Sequence, residues 1–181
     1  MTHDLTHLGA FDREKKSWRV VVETPAGCSA KFRYDPAAGT FEIAHFLPEG
    51  FAFPHSFGFI PSTRGGDGDP LDVLLLADMP IFPGCVAWAR LVGVLEGKAK
   101  EEGKSERNDR LIGVAVQSRR FAMVKHMDDL GARQLKDITR FFEDYNRVLG
   151  RSFRMIRIAG PKSAVRLVHN GMRAFAKVGR K

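Results

Sequence analysis

The stretch Asp67-Gly68-Asp69-Pro70-Leu71-Asp72 runs without a break into Val73-Leu74-Leu75-Leu76, and this junction constrains the chain more than any other feature. A short continuous run of large aliphatic residues belongs in a strand buried on both faces. Here it begins directly after three carboxylates within six positions. Asp67 and Asp69 share alternation parity, which in extended chain puts both on one side, and a bend at Pro70 brings Asp72 toward the same point. Like charges held together repel and raise one another's pKa, so such a cluster needs a counter-charge. A hard divalent cation supplies it. Carboxylates with no Cys or His close by suit Mg²⁺ or Mn²⁺ rather than zinc. A turn rich in Asp, Gly and Pro is the alternative, but it does not account for an acid at the mouth of a buried strand. A helix–loop–helix calcium loop does not match, because its third ligand position falls on Leu71 and its glycine position on Asp72.

Strands come first and helices last. Trp18–Glu23 reads as a strand closed by Thr24-Pro25-Ala26-Gly27, and Lys31–Tyr34 and Thr40–Ile43 as two strands joined through residues 35–39. The segment Leu47–Asp72, rich in Pro, Gly and Phe, reads as a long ordered loop of the kind that carries function. Val73–Leu76, Cys85–Leu95 and Arg110–Val116 follow as strands, with the charged Glu96–Asp109 as an exposed hairpin connection. Leu135, Ile138, Phe141, Phe142, Tyr145 and Val148 recur at helical spacing, and Gly150 stands where a helix ends. Ser152–Ile158 is a last strand, and a second helix starts at Pro161, burying Val165, Val168, Met172 and Phe175. The expected fold class is α+β, a small barrel with two C-terminal helices packed against it.

With 181 residues, the chain is expected to form one domain over 1–181, residues 1–17 being an N-terminal extension. Its 44% hydrophobic content excludes wholesale disorder, and two cysteines exclude a disulfide scaffold. No apolar run approaches a membrane span, and residues 1–20 lack a leader's apolar segment, so a cytoplasmic protein with reduced thiols is expected. The net charge of +8 invites a nucleic-acid reading. Its distribution narrows that reading: residues 1–100 hold 10 Lys and Arg against 12 Asp and Glu, and residues 101–181 hold 19 against 9. An OB-type strand binder would use such a basic half, but the phenylalanines cluster around the acidic loop, which repels a nucleic-acid backbone.

Phe53–Ile60 (FPHSFGFI), DGDPLDVL, Pro83-Gly84-Cys85, Leu91-Val92-Gly93-Val94 and Asn108-Asp109-Arg110-Leu111 come in the order found in one family. With Val20-Val21-Val22-Glu23, Pro25, Lys31 and Phe141-Phe142-Glu143-Asp144-Tyr145, they resemble the family I soluble inorganic pyrophosphatases over about residues 18–158, in a divergent bacterial branch. The resemblance implies a five-stranded OB-like barrel with flanking helices and Mg²⁺-dependent hydrolysis of pyrophosphate. It assigns metal binding to Asp67, Asp69 and Asp72, with Asp69 as general base. It places Glu23 beside the metal and Lys31 and Tyr145 on substrate phosphate, and it implies a homo-oligomer, perhaps a hexamer.

Several positions depart from the family's commonest pattern. Phe53 and Phe57 stand where it has tyrosines, His45 where it has a substrate-binding Arg, Arg33 where it has an acid, and Asn146 where it has a Lys. The second acidic cluster becomes Glu101-Glu102-Gly103…Asn108-Asp109-Arg110, in which Arg110 replaces a phosphate-binding Lys and Asp109 is the expected metal-facing acid. These departures leave a second expectation open, a hydrolase of the same fold acting on another phosphoanhydride.

Overall fold

A computed structural model describes residues 4–101 and 104–178. In chain order the strands are β1 (Phe11–Asp12), β2 (Ser17–Thr24), β3 (Ala30–Asp35), β4 (Thr40–Phe46), β5 (Ser56–Ile60), β6 (Leu71–Leu76), β7 (Val86–Glu101), β8 (Lys104–Arg107), β9 (Arg110–Ala115) and β10 (Ser152–Ala159). Two helices, α1 (Ala132–Val148) and α2 (Pro161–Val178), flank β10 in sequence.

Strand β2 has a partner on each side, and this closes the sheet. Trp18 to Val21 pair antiparallel with Ala89 to Val86 of β7, while Val21 to Thr24 pair with Phe59 to Phe57 of β5. The ring continues from β5 through β6 and β9 back to β7. All its pairings are antiparallel except β6 with β9, which run parallel. Closure leaves the ring without a bare edge. The outer half of β7 carries β10 and β8, and β3 and β4 form a separate hairpin.

The run Val73–Leu76 is fully buried because each face of β6 has its own cover. Leu74 and Leu76 pack with Phe53 and Phe57 and with Ile138 and Phe142 of α1. Val73 and Leu75 pack with Val20, Val22 and Leu111 and with Ala164 and Val168 of α2. Period-two alternation between two covered faces requires continuous aliphatic sequence. Both helices follow their expected apolar faces. Val148 is exposed at the end of α1, Gly150 follows with φ +71°, and Phe175 lies half-buried against His7.

Two expectations change. The Leu47–Asp72 segment contains β5, whose Gly58 is a condition for ring closure: a Cβ there would stand 2.0 Å from the Val21 carbonyl oxygen. The Glu96–Asp109 connection is a paired ribbon of β7 and β8, with Glu96 buried between Arg107 and Arg157 at 2.6 and 2.8 Å. Glu102, Gly103 and the side chain of Glu101 lie outside the described residues. Gly58→Ala forces backbone apart in the ring and is expected to lower unfolding stability by about 3 kcal/mol, read as a fall in the urea midpoint.

Candidate active site

A cavity of about 310 Å³ brings together acids from two strands and a turn with basic groups from three other segments. Glu23 of β2, Asp67, Asp69 and Asp72 face Lys31, Arg33, Arg110 and Arg151 across it. Phe53, Phe57, Phe142 and Tyr145 supply the aromatic wall. A roomier cavity of about 650 Å³ lies by His55, Asp78 and the start of α1, and contains none of the three clustered aspartates.

The acidic segment is a tight turn rather than extended chain, so Asp67 and Asp69 meet through the turn and not through alternation. Gly65 N donates to Asp69 O at 2.7 Å, Gly68 N to Gly65 O at 3.3 Å, and Asp69 N to Asp67 Oδ1 at 3.2 Å. Gly68 takes φ +95°, a conformation that disfavours residues with a Cβ. The turn is seated from below by α2. Arg64 N donates to Gly171 O at 3.0 Å, and a Cβ on Gly171 would meet Leu71 Cδ1 at 2.7 Å. Thr63 Oγ1 accepts from Leu71 N at 3.0 Å and fixes the entry into β6.

Asp72 is the second residue of β6. It shares a face with Leu74 and Leu76, so it points to the α1 side with the phenylalanines. Burial pushes its carboxyl above the usual range; Arg110 and then Lys31 oppose that rise, and Glu23 and Asp69 add to it. Arg110 Nη1 donates directly to Asp72 Oδ2. Glu23, 7% exposed, accepts from Lys31 Nζ and from Tyr34 N, both at 2.9 Å. The Lys31 ammonium also lies 4.3 Å from the centroid of the Phe57 ring. That ring stacks on a cation without offering it a hydrogen bond.

Tyr145 reaches the cavity from α1, and its hydroxyl is 3.1 Å from His45 Nε2 on β4. Burial pushes the phenol up to about 12, so it stays an O–H donor at neutral pH. His45 does not line the cavity and meets it through the Tyr145 hydroxyl. Burial, with help from Lys31 and Arg151, holds His45 below its ordinary value of 6.5, so a neutral ring stands where the family's commonest pattern has a guanidinium. Asp109 is turned toward the hairpin: its Oδ1 accepts from Gly97 N at 3.0 Å and from Arg107 Nε at 2.7 Å.

A family model for inorganic pyrophosphatase matches residues 20–176. The chain belongs to the inorganic pyrophosphatase family. It is 34% identical over 155 residues to the inorganic pyrophosphatase of Geobacillus stearothermophilus, covering 86% of this chain and 92% of that one. Identity to the Thermus thermophilus enzyme is 31% over 157 residues, 87% of each chain. The crystal structure of inorganic pyrophosphatase from Thermus thermophilus superposes with a TM-score of 0.87 at 30% identity, covering 96% of this chain and 99% of that one. The Helicobacter pylori inorganic pyrophosphatase gives 0.84 at 28%, covering 94% and 99%. The ring of β2, β5, β6, β9 and β7 with its two helices is thus the OB-like barrel of this family.

The donor set of this pyrophosphatase-family cavity fits Mg²⁺. Its acids offer oxygen alone, with no thiol or imidazole among the residues lining the cavity. Among the described residues no three acidic, His or Cys groups close into a cluster that would hold an ion unaided. An open set suits a cation that keeps several waters and completes its shell with substrate phosphate oxygens. Asn108 enters the site without any sequence signal beyond its motif. It lines the cavity, and its Oδ1 is buried with no hydrogen-bond partner among the described residues. Arg151 also lines the cavity, and Asn146 is spent on the Phe142 carbonyl at 2.8 Å. Lys31→Met leaves the Glu23 carboxylate without its cation and is expected to cost about 3 kcal/mol of unfolding stability. In the same denaturation assay, the Lys31→Met/Glu23→Gln pair should recover most of that loss.

Proposed function

We propose that this chain hydrolyses inorganic pyrophosphate to two orthophosphates with Mg²⁺ held by Asp67, Asp69 and Asp72, Glu23 standing close behind them. Asp109, whose Oδ1 is held by Gly97 N and Arg107 Nε, is left out of this set. The observation that carries the reading is the pairing, in one cavity of a pyrophosphatase-family barrel, of an all-oxygen acidic turn with Lys31, Arg110 and Tyr145.

The cation, when bound, supplies positive charge to the phosphate oxygens and lowers the pKa of an attacking water. Asp69 is the general base. Asp67 accepts from a backbone N–H and Asp72 from Arg110, whereas among the described residues no hydrogen bond is donated to the exposed Asp69 carboxylate. Asp69 takes the proton as the water oxygen bonds to one phosphorus. The bond from that phosphorus to the bridging oxygen breaks, and its electron pair leaves with the second phosphate. Lys31 and Arg110 offset charge on the transferring and leaving groups, and the Tyr145 hydroxyl donates to a phosphate oxygen. Phe53 and Phe57 contribute shape and exclude water where hydroxyls are absent. That wall favours testing other phosphoanhydrides beside pyrophosphate.

The reading carries with it a cytoplasmic homo-oligomer, hexameric in the form the resemblance implies. Among the described residues no helix is long and apolar enough to cross a membrane. Purified protein should release phosphate from pyrophosphate only when Mg²⁺ is present, and faster than from nucleoside triphosphates or short polyphosphates. Asp69→Asn should lower turnover by roughly 10²-fold or more. Wild-type protein that releases no phosphate at saturating Mg²⁺, or an Asn variant of full activity, overturns the reading.

A further inference from the structure

We propose that Arg110 is a built-in counter-ion for Asp72, which a divalent cation must displace, and that the displaced guanidinium then becomes a phosphate ligand. The inference rests on the metal-dependent reading above. It adds a coupling between cation and substrate that runs through one side chain.

The juxtaposition is fixed by backbone pairing. Val73 of β6 stands opposite Leu111 of β9 in the parallel pair, which brings the preceding residues, Asp72 and Arg110, side by side. The Arg110 side chain is 11% exposed, and its Nη1 is on Asp72 Oδ2. Little else holds the guanidinium. Among the described residues its one further acceptor is the Asp109 carbonyl at 3.4 Å, and the rings nearby, Phe57 and Phe142, lie with centroids 5.8 Å away and accept no conventional hydrogen bond.

Arg110 Nε is buried with no hydrogen-bond partner among the described residues. A guanidinium carries five N–H donors in a fork that matches phosphate, and a buried donor left unmade is costly. The side chain is therefore under-used in this state, and the groups missing from it are anionic oxygens. Asp72, for its part, shares the cavity with Glu23 and Asp69, and its direct counter-charge is Arg110. A divalent cation among Asp67, Asp69 and Asp72 would supply that counter-charge and repel the guanidinium, leaving it short of acceptors until phosphate arrives. Cation binding without phosphate is therefore opposed by Arg110, and phosphate binding with the cation in place is favoured by it.

Calorimetric titration of metal-free, full-length protein with Mn²⁺ tests this, with inorganic phosphate as the anion and no turnover involved. Arg110→Gln should bind Mn²⁺ at least tenfold more tightly than wild type. The Mn²⁺-loaded variant should bind phosphate at least tenfold more weakly than Mn²⁺-loaded wild type. Arg110→Met, which keeps the apolar stem against Phe57 and Phe142, should show both shifts if the Gln variant fails to fold. Arg110→Lys, which keeps the charge, should retain near wild-type Mn²⁺ affinity. Neutral variants whose Mn²⁺ affinity equals or falls below wild type overturn the proposal. Wild type that binds no Mn²⁺ instead overturns the metal-dependent reading beneath it.

Discussion

Asp72 opens a strand whose next four residues are aliphatic and fully buried, and the site sets cationic side chains around its half-buried carboxylate. Its strand is covered on one face by α1 and on the other by α2, and the half-buried carboxylate stands at the head of that wall, on the face it shares with Leu74. A buried charge is tolerated only when it is paired. The fold supplies the pairing from elements far apart in sequence: Arg110 through the parallel partner strand, and Lys31 through a hairpin anchored on Glu23. The sheet order makes this possible, since β9 lies directly beside β6 while β2, two strands away, delivers Glu23 to the same cavity. Gly58, where β5 crosses close to Val21, Gly93 of β7, where Ala159 backbone passes, and Gly171, where α2 meets Leu71, leave no room for a side chain.

Much of this was legible in the residues. The run Val73–Leu76 reads as a buried strand, and the spacing from Leu135 to Tyr145 describes the face of α1 that meets it. Pro161 opens α2 as its ring geometry favours. What sequence could not reach was decided by tertiary packing. Gly58 sits in Ser56–Ile60 as a breaker would, yet the strand needs it because backbone passes where a methyl group would be. Asp67 and Asp69 were expected to meet by alternation, but Gly68 in the left-handed region turns the chain instead.

The same limit separates Asn108, Asp109 and Arg110. Charge singles out Asp109 and Arg110, and the structure places them differently. Asp109 faces the hairpin and Arg107, while Arg110 faces the cavity and Asp72. Asn108 carries no charge to draw attention, and its unpartnered oxygen becomes visible only when neighbours are placed around it. The basic surplus of the C-terminal half divides in a comparable way. Arg110 and Arg151 line the cavity, whereas Arg107 and Arg157 are committed to Glu96. The charge is thus partly site and partly the clamp of a two-stranded ribbon.

The central claim is that the turn Asp67–Asp72 is a cation site as well as a structural turn. Anomalous scattering from crystals of the protein equilibrated with Mn²⁺ tests it most directly. The account predicts a peak inside the cavity within coordination distance of Asp67, Asp69 and Asp72 carboxylate oxygens. No peak there, or ordered Mn²⁺ only at other acidic residues, would contradict it.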